Sequence, residues 1–171
     1  KEHDKTLKNI ASYEEILGSR TAMAKVIIKE LDAFKKEYAK ERKTIIDNIK
    51  AAVAEETIRK AYDAGVNFFD CADAYSGGEA EKFLGRVLKD YSRSSYVVSS
   101  KVFFPTGRGA NEWGLSRKHI FENIDRTLKN MDLDYIDMYF CHRFDPTTPM
   151  EETLRALSDL VSQGKILYYG V

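Results

Sequence analysis

From about residue 56 onward, segments of helical and strand-like pattern alternate, and this alternation limits the fold more than any other feature of the sequence. Apolar, β-branched and aromatic runs predict strands at 66–70, 96–102, 135–142 and 166–171. Helical periodicity predicts the helices that precede them at 56–64, 79–90, 117–131 and 150–162. Four strands, each preceded by a helix, are typical of a parallel sheet or barrel with helices outside. The alternation therefore predicts an α/β fold.

Local signals place some of the helix ends. Ser116 stands before the helix at 117–131, where its hydroxyl would accept a hydrogen bond from a free backbone N–H. Gly65 and Gly164 follow two other helices, and glycine readily adopts the left-handed conformation that closes a helix. These signals predict where the helices begin and end. How the helices pack depends on their apolar faces.

Residues 1–55 differ from the rest, since they contain no proline and a single glycine, Gly18. Apolar residues at three- and four-residue spacings over 16–38 predict an amphipathic helix after a break at Gly18, with Ser19 or Thr21 as its N-cap. A second helix is predicted over about 44–56. Short isolated helices are marginal in water, so both helices require a partner surface.

Composition and charge exclude several classes of protein. Lys and Arg together number 27, as do Asp and Glu, so no net field favours nucleic acid or an anionic membrane. No apolar run approaches the roughly 20 residues that cross a bilayer. The first residues lack a signal-peptide pattern, and two cysteines make no disulfide framework, so we predict a cytoplasmic protein. The histidines and cysteines lack zinc-ligand spacing, so we predict no metal site.

Polar residues with complementary chemistry stand at the ends of three predicted strands, which is where parallel barrels carry their active sites. Asp70 and Tyr75 follow the first strand, Lys101 lies near the end of the second, and His142 ends the third. The set suits carbonyl reduction, because a tyrosine beside an ammonium group can give a proton and keep the resulting phenolate. Asp70 would hold Lys101 charged, and His142 would orient the carbonyl.

The same residues have ordinary structural interpretations, which the pattern alone leaves open. Asp70 is equally suited to a turn or a helix cap, and Lys101 to a solvated strand end. Tyrosines and histidines such as Tyr75 and His142 are more often packed than catalytic. Trp113, in the loop after the second strand, is either a wall of a substrate pocket or an anchor of that loop.

Three stretches carry a resemblance to a known family: 65–80 (GVNFFDCADAYSGGEA), 115–120 (LSRKHI) and 143–153 (RFDPTTPMEET). They resemble the aldo-keto reductases, in the branch that contains the β subunits of voltage-gated potassium channels. The resemblance covers 56–171 and implies a (β/α)8 TIM barrel, NADPH as cofactor, and aldehydes or ketones as substrates.

The resemblance also implies roles for individual residues. Tyr75 would be the proton donor, supported by Lys101 and Asp70, and His142 would orient the carbonyl. Asp70 would also contact the cofactor, and Tyr75, His142 and Trp113 would contact the substrate.

The sequence departs from a full barrel, which needs about 250 residues. Only four strands are predicted, a helical segment replaces the first barrel strand, and the later strands that grip the dinucleotide phosphates are absent. Gly77-Gly78 and the glycines near 107–109 lack the spacing of a phosphate-binding loop. An incomplete sheet has open edges that favour association, so we predict a possible homo-oligomer that covers them.

The N-terminal segment carries its own resemblance. Residues 13–19, 26–32 and 35–44 make about 8–56 similar to the end of the breakage-reunion domain in the A subunit of bacterial type II topoisomerases. We therefore predict two domains: a helical segment at 1–55 and a partial reductase-like barrel at 56–171.

Three functions remain open from the sequence. The first is NADPH-linked carbonyl reduction by a truncated reductase. The second is a chimeric, designed or fragmentary protein that folds or oligomerises without activity. The third is a helical interaction module related to the topoisomerase A subunit.

Overall fold

A computed structural model describes residues 2–171 of the chain, with side chains from residue 8. Helices and strands alternate along the chain, and a short 3-10 turn, Tyr75–Gly78, follows the first strand. The elements are α1 (Glu2–Asp63), β1 (Phe68–Asp70), α2 (Glu79–Leu88), β2 (Val97–Val102), α3 (Arg117–Met131), β3 (Ile136–Cys141), α4 (Met150–Ser162) and β4 (Ile166–Gly170). The predicted α/β class is confirmed, and the four strands lie within the predicted ranges.

The strands form one parallel sheet in the order β1-β2-β3-β4. Each strand therefore pairs with the next strand along the chain. The register places Asp70 beside Ser99, and Lys101 beside Phe140. Because all four strands run the same way, their carboxyl ends meet at one edge of the sheet. Residues that follow β1, β2 and β3 are thus brought together by the topology itself.

One face of the sheet packs against helices. The buried core there includes Leu88, Val98, Ile124, Tyr139, Leu157 and Leu160. Side chains alternate between the faces of a strand, so Phe68 and Asp70, which flank the buried Phe69, lie on the opposite face. Both are exposed. This face of the sheet therefore presents apolar and polar side chains to solvent.

The predicted helix ends can be compared with the structure directly. Ser116 Oγ accepts a hydrogen bond from the His119 N–H at 3.3 Å, so the predicted N-cap of α3 is confirmed. Gly65 and Gly164 have φ values of +94° and +71°, the left-handed conformation expected after a helix. Asp132, which the sequence analysis did not single out, ends α3 with a φ of +55°.

The predicted break at Gly18 is wrong. α1 is continuous over 62 residues and includes the second predicted helix and all but the last residue of the helix predicted at 56–64. Thr21 is not an N-cap, because its Oγ1 donates back to the Leu17 carbonyl at 2.9 Å, inside the helix. A single interior glycine costs only about 1 kcal/mol relative to alanine. The surrounding helix-forming residues outweigh that penalty.

The chain divides after Lys50 into two compact units. In the first, the apolar side chains of residues 8–50 are exposed. The second, residues 51–171, contains the whole sheet and the buried core. The predicted domain boundary at 55/56 stays a prediction. Among the described residues, no helix combines the length and apolarity needed to span a membrane.

Candidate active site

An ion pair between neighbouring strands is the centre of the site. Lys101, on β2, donates from Nζ to Asp70 Oδ2 at 2.6 Å and to the Cys71 carbonyl at 2.7 Å. Ser99 Oγ donates to the other carboxylate oxygen of Asp70 at 2.5 Å. Parallel pairing of β1 with β2 produces this arrangement, since Asp70 and Ser99 are register partners. The lysine ammonium is thereby fixed at the carboxyl edge of the sheet.

The charge state of Asp70 follows from these contacts. Partial burial acts to raise the pKa of this carboxyl group, but the hydrogen bonds from Lys101 and Ser99 outweigh it, and the pKa lies below its ordinary value. The group is therefore a carboxylate at neutral pH. Its negative charge balances the ammonium of Lys101, whose side chain is only 15% exposed.

Tyr75 lies beside this ion pair, at the start of the 3-10 turn that links β1 to α2. The chain reverses sharply here, with left-handed φ values at Ser76 (+52°), Gly77 (+64°) and Gly78 (+93°). Lys101 Nζ stands over the face of the Tyr75 ring, 5.1 Å from its centroid, within the range of a cation–π contact. The tyrosine is 43% exposed, so part of the residue is open to a ligand.

His142 completes the group from the end of β3. Its backbone N–H donates to the Val102 carbonyl at 2.9 Å, which extends the β2–β3 pairing by one residue. Its ring meets the Tyr75 ring edge-on at a centroid distance of 5.9 Å, and the Phe104 ring at 4.9 Å. The structure thus brings together Asp70, Lys101, Tyr75 and His142, as the strand-end pattern predicted.

The imidazole of His142 is held in its neutral form. Burial lowers its pKa, and the positive charges of Lys101 and Arg143 lower it further, against a smaller opposing effect of Asp70. Its Nδ1 is buried without a hydrogen-bond partner among the described residues. A neutral imidazole carries one N–H and one acceptor nitrogen, so it can orient a polar ligand without adding charge.

Trp113 is connected to His142 through two other aromatic rings. Its ring meets Phe103 at a centroid distance of 6.3 Å, and Phe103 in turn meets Phe104 at 5.5 Å. A row of edge-on aromatic rings therefore runs from Trp113 to His142. The tryptophan is 42% exposed, and its predicted contact with a substrate stays a prediction.

The sequence analysis missed residues that support the site. Ser99 precedes Lys101 by two positions, so strand alternation could have placed both on one face. Glu81, a fully buried carboxyl group on α2, accepts hydrogen bonds from Ser100, Thr127 and Asn130 at 2.7, 2.9 and 2.8 Å. This network ties β2 to α2 and α3 directly behind the lysine. Nothing in the local sequence around Glu81 indicates that it is buried.

A groove of about 560 Å³ adjoins the site on the β1 side. Asp70, Tyr75 and Ser76 are among the residues that line it, whereas Lys101 and His142 are not. The remaining lining is mostly apolar: Ala54, Thr57, Ile58, Phe68, Phe69, Cys71, Ala80, Phe83 and Leu84. The groove can therefore accept an apolar group beside Asp70 and Tyr75.

The surroundings of Cys71 disfavour thiol chemistry. Burial raises the pKa of the Cys71 thiol to about 11 despite the nearby lysine, so this sulfur is protonated and unreactive at neutral pH. Within the part of the chain that the structure describes, no cluster of three or more His, Cys, Asp or Glu side chains is arranged to hold a metal ion.

Comparison with known proteins identifies the class. The model of the aldo/keto reductase family matches residues 38–171, which is well over half of the chain. The chain therefore belongs to the aldo/keto reductase family. The match begins inside the stretch that resembled the topoisomerase A subunit, and these comparisons do not support that resemblance.

Individual relatives agree with this assignment. The chain is 46% identical over 119 residues to a probable voltage-gated potassium channel subunit beta of Oryza sativa subsp. japonica, covering 68% of this chain and 36% of that protein. It is 44% identical over 116 residues to a putative subunit of the same kind from Schizosaccharomyces pombe, covering 66% and 34%. The chain thus spans about a third of the length of these relatives.

A solved structure supports the fold. A thermostable aldo-keto reductase crystallised with the inhibitor epalrestat is 37% identical and superposes with a TM-score of 0.62. The superposition covers 68% of this chain and 40% of that protein. The four parallel strands with their helices are therefore part of a TIM barrel, as the sequence predicted.

The residues present fit one end of a nicotinamide cofactor. The Asp70 carboxylate is 47% exposed and retains acceptor capacity for a carboxamide N–H, beside a groove with apolar walls. The Lys101 ammonium is already engaged by Asp70 and the Cys71 carbonyl, so it is not free to bind a phosphate. The fit shown by these residues is to the reacting ring of the cofactor.

Proposed function

We propose that this chain carries the reacting centre of an NADPH-linked carbonyl reductase that acts on aldehydes or ketones. The observation that carries the proposal is the Lys101 ammonium, 2.6 Å from Asp70 Oδ2 and 5.1 Å from the Tyr75 ring centroid, with His142 edge-on to the same ring. Bound NADPH would supply the hydride that reduces the carbonyl carbon.

Tyr75 is the proton donor in this proposal. Reduction of a carbonyl leaves negative charge on its oxygen, and a phenol within hydrogen-bond distance can neutralise that charge by giving up its proton. The phenolate that remains is stabilised by the adjacent Lys101 ammonium. Asp70 holds this ammonium in place, since its carboxylate accepts a short hydrogen bond from Nζ. It is also the residue that we assign to the nicotinamide carboxamide.

His142 positions the substrate. Its neutral imidazole can donate one hydrogen bond to the carbonyl oxygen, directing that oxygen toward the Tyr75 hydroxyl group. A charged imidazolium would instead compete with Lys101 for the Asp70 carboxylate. Phe104 packs edge-on against the imidazole and restricts its rotation. We assign Trp113, at the far end of the aromatic row, to the wall of the substrate pocket.

The test is oxidation of NADPH by the purified chain in the presence of a reactive aldehyde, followed by absorbance. Tyr75→Phe removes the transferable proton and keeps the ring, so the rate should fall about 100-fold or more. Tyr169→Phe, at an exposed tyrosine of β4, is the matched control and should retain the wild-type rate. Equal rates for wild type and Tyr75→Phe would exclude the proposed proton donor.

The non-catalytic alternative is that this chain folds or associates without turnover. β1 and β4 are the edge strands of the described sheet, where a second copy is predicted to pair. Thermal melting with and without NADPH separates the two cases, because a ligand that binds the folded state raises the melting temperature. No shift and no turnover, with cooperative melting, would favour the non-catalytic alternative.

A further inference from the structure

The exposed helical segment of α1 carries a seven-residue repeat that the active site does not use. Taking Ile10 as position a, an apolar residue recurs at every seventh position to Ile45. The a positions are Ile10, Leu17, Ala24, Leu31, Tyr38 and Ile45, and the d positions are Tyr13, Arg20, Ile27, Phe34 and Glu41. A repeat of apolar residues at a and d is the pattern by which two helices form a coiled coil.

These apolar side chains are exposed in the single chain. The eight large ones at the a and d positions, from Ile10 to Ile45, are between 48% and 68% exposed. Helices of this kind gain most of their stability from packing an apolar face rather than from intrinsic propensity. Among the described residues, the apolar stripe over 24–38 is therefore an unpartnered surface.

Charges beside the stripe identify the partner. Glu30 and Glu37 occupy g positions, and Lys35 and Arg42 occupy the e positions of the heptads that follow. In a parallel, in-register pair of identical helices, a g residue faces the e residue of the next heptad on the other helix. Glu30 would therefore face Lys35 of a second copy, and Glu37 would face Arg42. None of these four belongs to an ion pair within the described side chains.

The same charges disfavour an antiparallel pair. With Leu31 packed against Ile27 of an antiparallel second copy, Glu30 would come next to Glu30 of that copy, and like charges in contact are destabilising. The parallel arrangement instead matches opposite charges on both sides of the seam. Arg20 and Glu41 occupy d positions, where each would face the same charged residue of the second helix. These like-charged pairs limit the most stable part of the seam to residues 24–38.

We propose that residues 24–38 of α1 form the centre of a parallel, in-register coiled coil between two copies of this chain. The seam is apolar at Ala24, Ile27, Leu31, Phe34 and Tyr38, and the flanking charges select both partner and direction. This surface belongs to residues 24–38 rather than to the sheet, and the proposal does not depend on the proposed reductase chemistry.

The first test is sedimentation velocity of the full chain over a range of concentrations. The wild type should show a concentration-dependent dimer. Glu30→Lys with Glu37→Lys, and separately Lys35→Glu with Arg42→Glu, should each dissociate it, because all flanking pairs become repulsive. An equimolar mixture of the two variants should restore a dimer, since every pair is then attractive. The matched control is Lys29→Glu with Lys36→Glu on the outer face, which should dimerise like the wild type.

The second test fixes the direction of the helices. Tyr13→Cys places a thiol at a d position near one end, so mild oxidation should cross-link a parallel dimer through it. Glu15→Cys, on the outer face, is the control and should not cross-link, and the wild type reports any background from Cys71 and Cys141. A monomer at every concentration, a dimer insensitive to both charge reversals, or a dimer that Tyr13→Cys fails to cross-link would each overturn the proposal.

Discussion

The two units of this chain use similar apolar residues in opposite ways. In residues 51–171, Leu160 is completely buried between the sheet and the helices, whereas Leu31, in residues 8–50, is about half exposed. Both lie on helices and both belong to apolar stripes. The difference is that α4 has a sheet to pack against, while the described part of the first unit is a helix without a second layer. Periodicity therefore predicts where an apolar stripe lies, and topology decides whether it is buried within one chain.

The largest expected effect tests this contrast with one substitution in two places. Leu160→Ala removes a fully buried side chain and should lower the free energy of unfolding by about 2–5 kcal/mol. Leu31→Ala should change the unfolding of the sheet unit by less than about 0.5 kcal/mol. Urea denaturation followed by fluorescence of the single tryptophan, Trp113, reports that unit. A comparable loss of unfolding free energy in both variants would show that the two apolar stripes do not differ in burial.

A second contrast concerns close packing inside α2. A Cβ atom on Gly85 would overlap the Met131 carbonyl oxygen, so α2 and the end of α3 must separate to accept alanine. Gly85→Ala should therefore destabilise the sheet unit by about 1–3 kcal/mol. The same urea titration measures it, and an unchanged midpoint would mean that the helices do not approach so closely.

Acid sensitivity should also be concentrated in the sheet unit. Burial acts to raise the pKa of Asp145, but hydrogen bonds from Thr147, Leu115 and Thr148 bring the pKa down to about 2. A carboxyl group with a lowered folded-state pKa contributes stability above its unfolded value, near 4, and loses it as the pH falls toward 2. The contribution is about 2 kcal/mol. Asp145→Asn should lose this stability at pH 7 and show a flatter acid dependence of Trp113 fluorescence.

The smallest expected effect has the opposite sign. Gly18 lies inside α1, and a Cβ atom there would meet nothing within 4 Å. Gly18→Ala should therefore stabilise the helix by about 0.5–1 kcal/mol, because alanine loses less backbone freedom on folding. Circular dichroism at 222 nm during heating should show the gain, while Trp113 fluorescence should not change. A loss of helix would contradict the continuous α1.

Sequence reasoning succeeded where local chemistry decides the outcome. Ser116 predicted the start of α3 because a hydroxyl group at that position satisfies a free N–H whatever the rest of the molecule does. The convergence of Asp70, Lys101 and His142 was also predictable, since parallel strands place their carboxyl ends at one edge. Periodicity could not show that α1 continues through Gly18. A single interior glycine costs only about 1 kcal/mol of helix stability, so the continuous helix and the broken helix are close in free energy.

Other features depend on contacts between distant parts of the chain and left no local signal. Glu81 looks like a surface residue of an amphipathic helix, yet it is buried by partners that lie 19 to 49 positions further along the chain. Phe104 adjoins His142 only because the loop after β2 folds over the end of β3. The local sequence does not predict these contacts, because they form only when the sheet and its helices have packed together.

The strand order has a consequence for how the sheet is made. The four strands lie side by side in the order in which they are synthesised. Each strand after β1 can therefore pair, as it leaves the ribosome, with a strand that has already been made. No strand must wait for a later one to be inserted between it and its neighbour. Growth by addition at one edge keeps loop closures short, and short closures favour rapid folding.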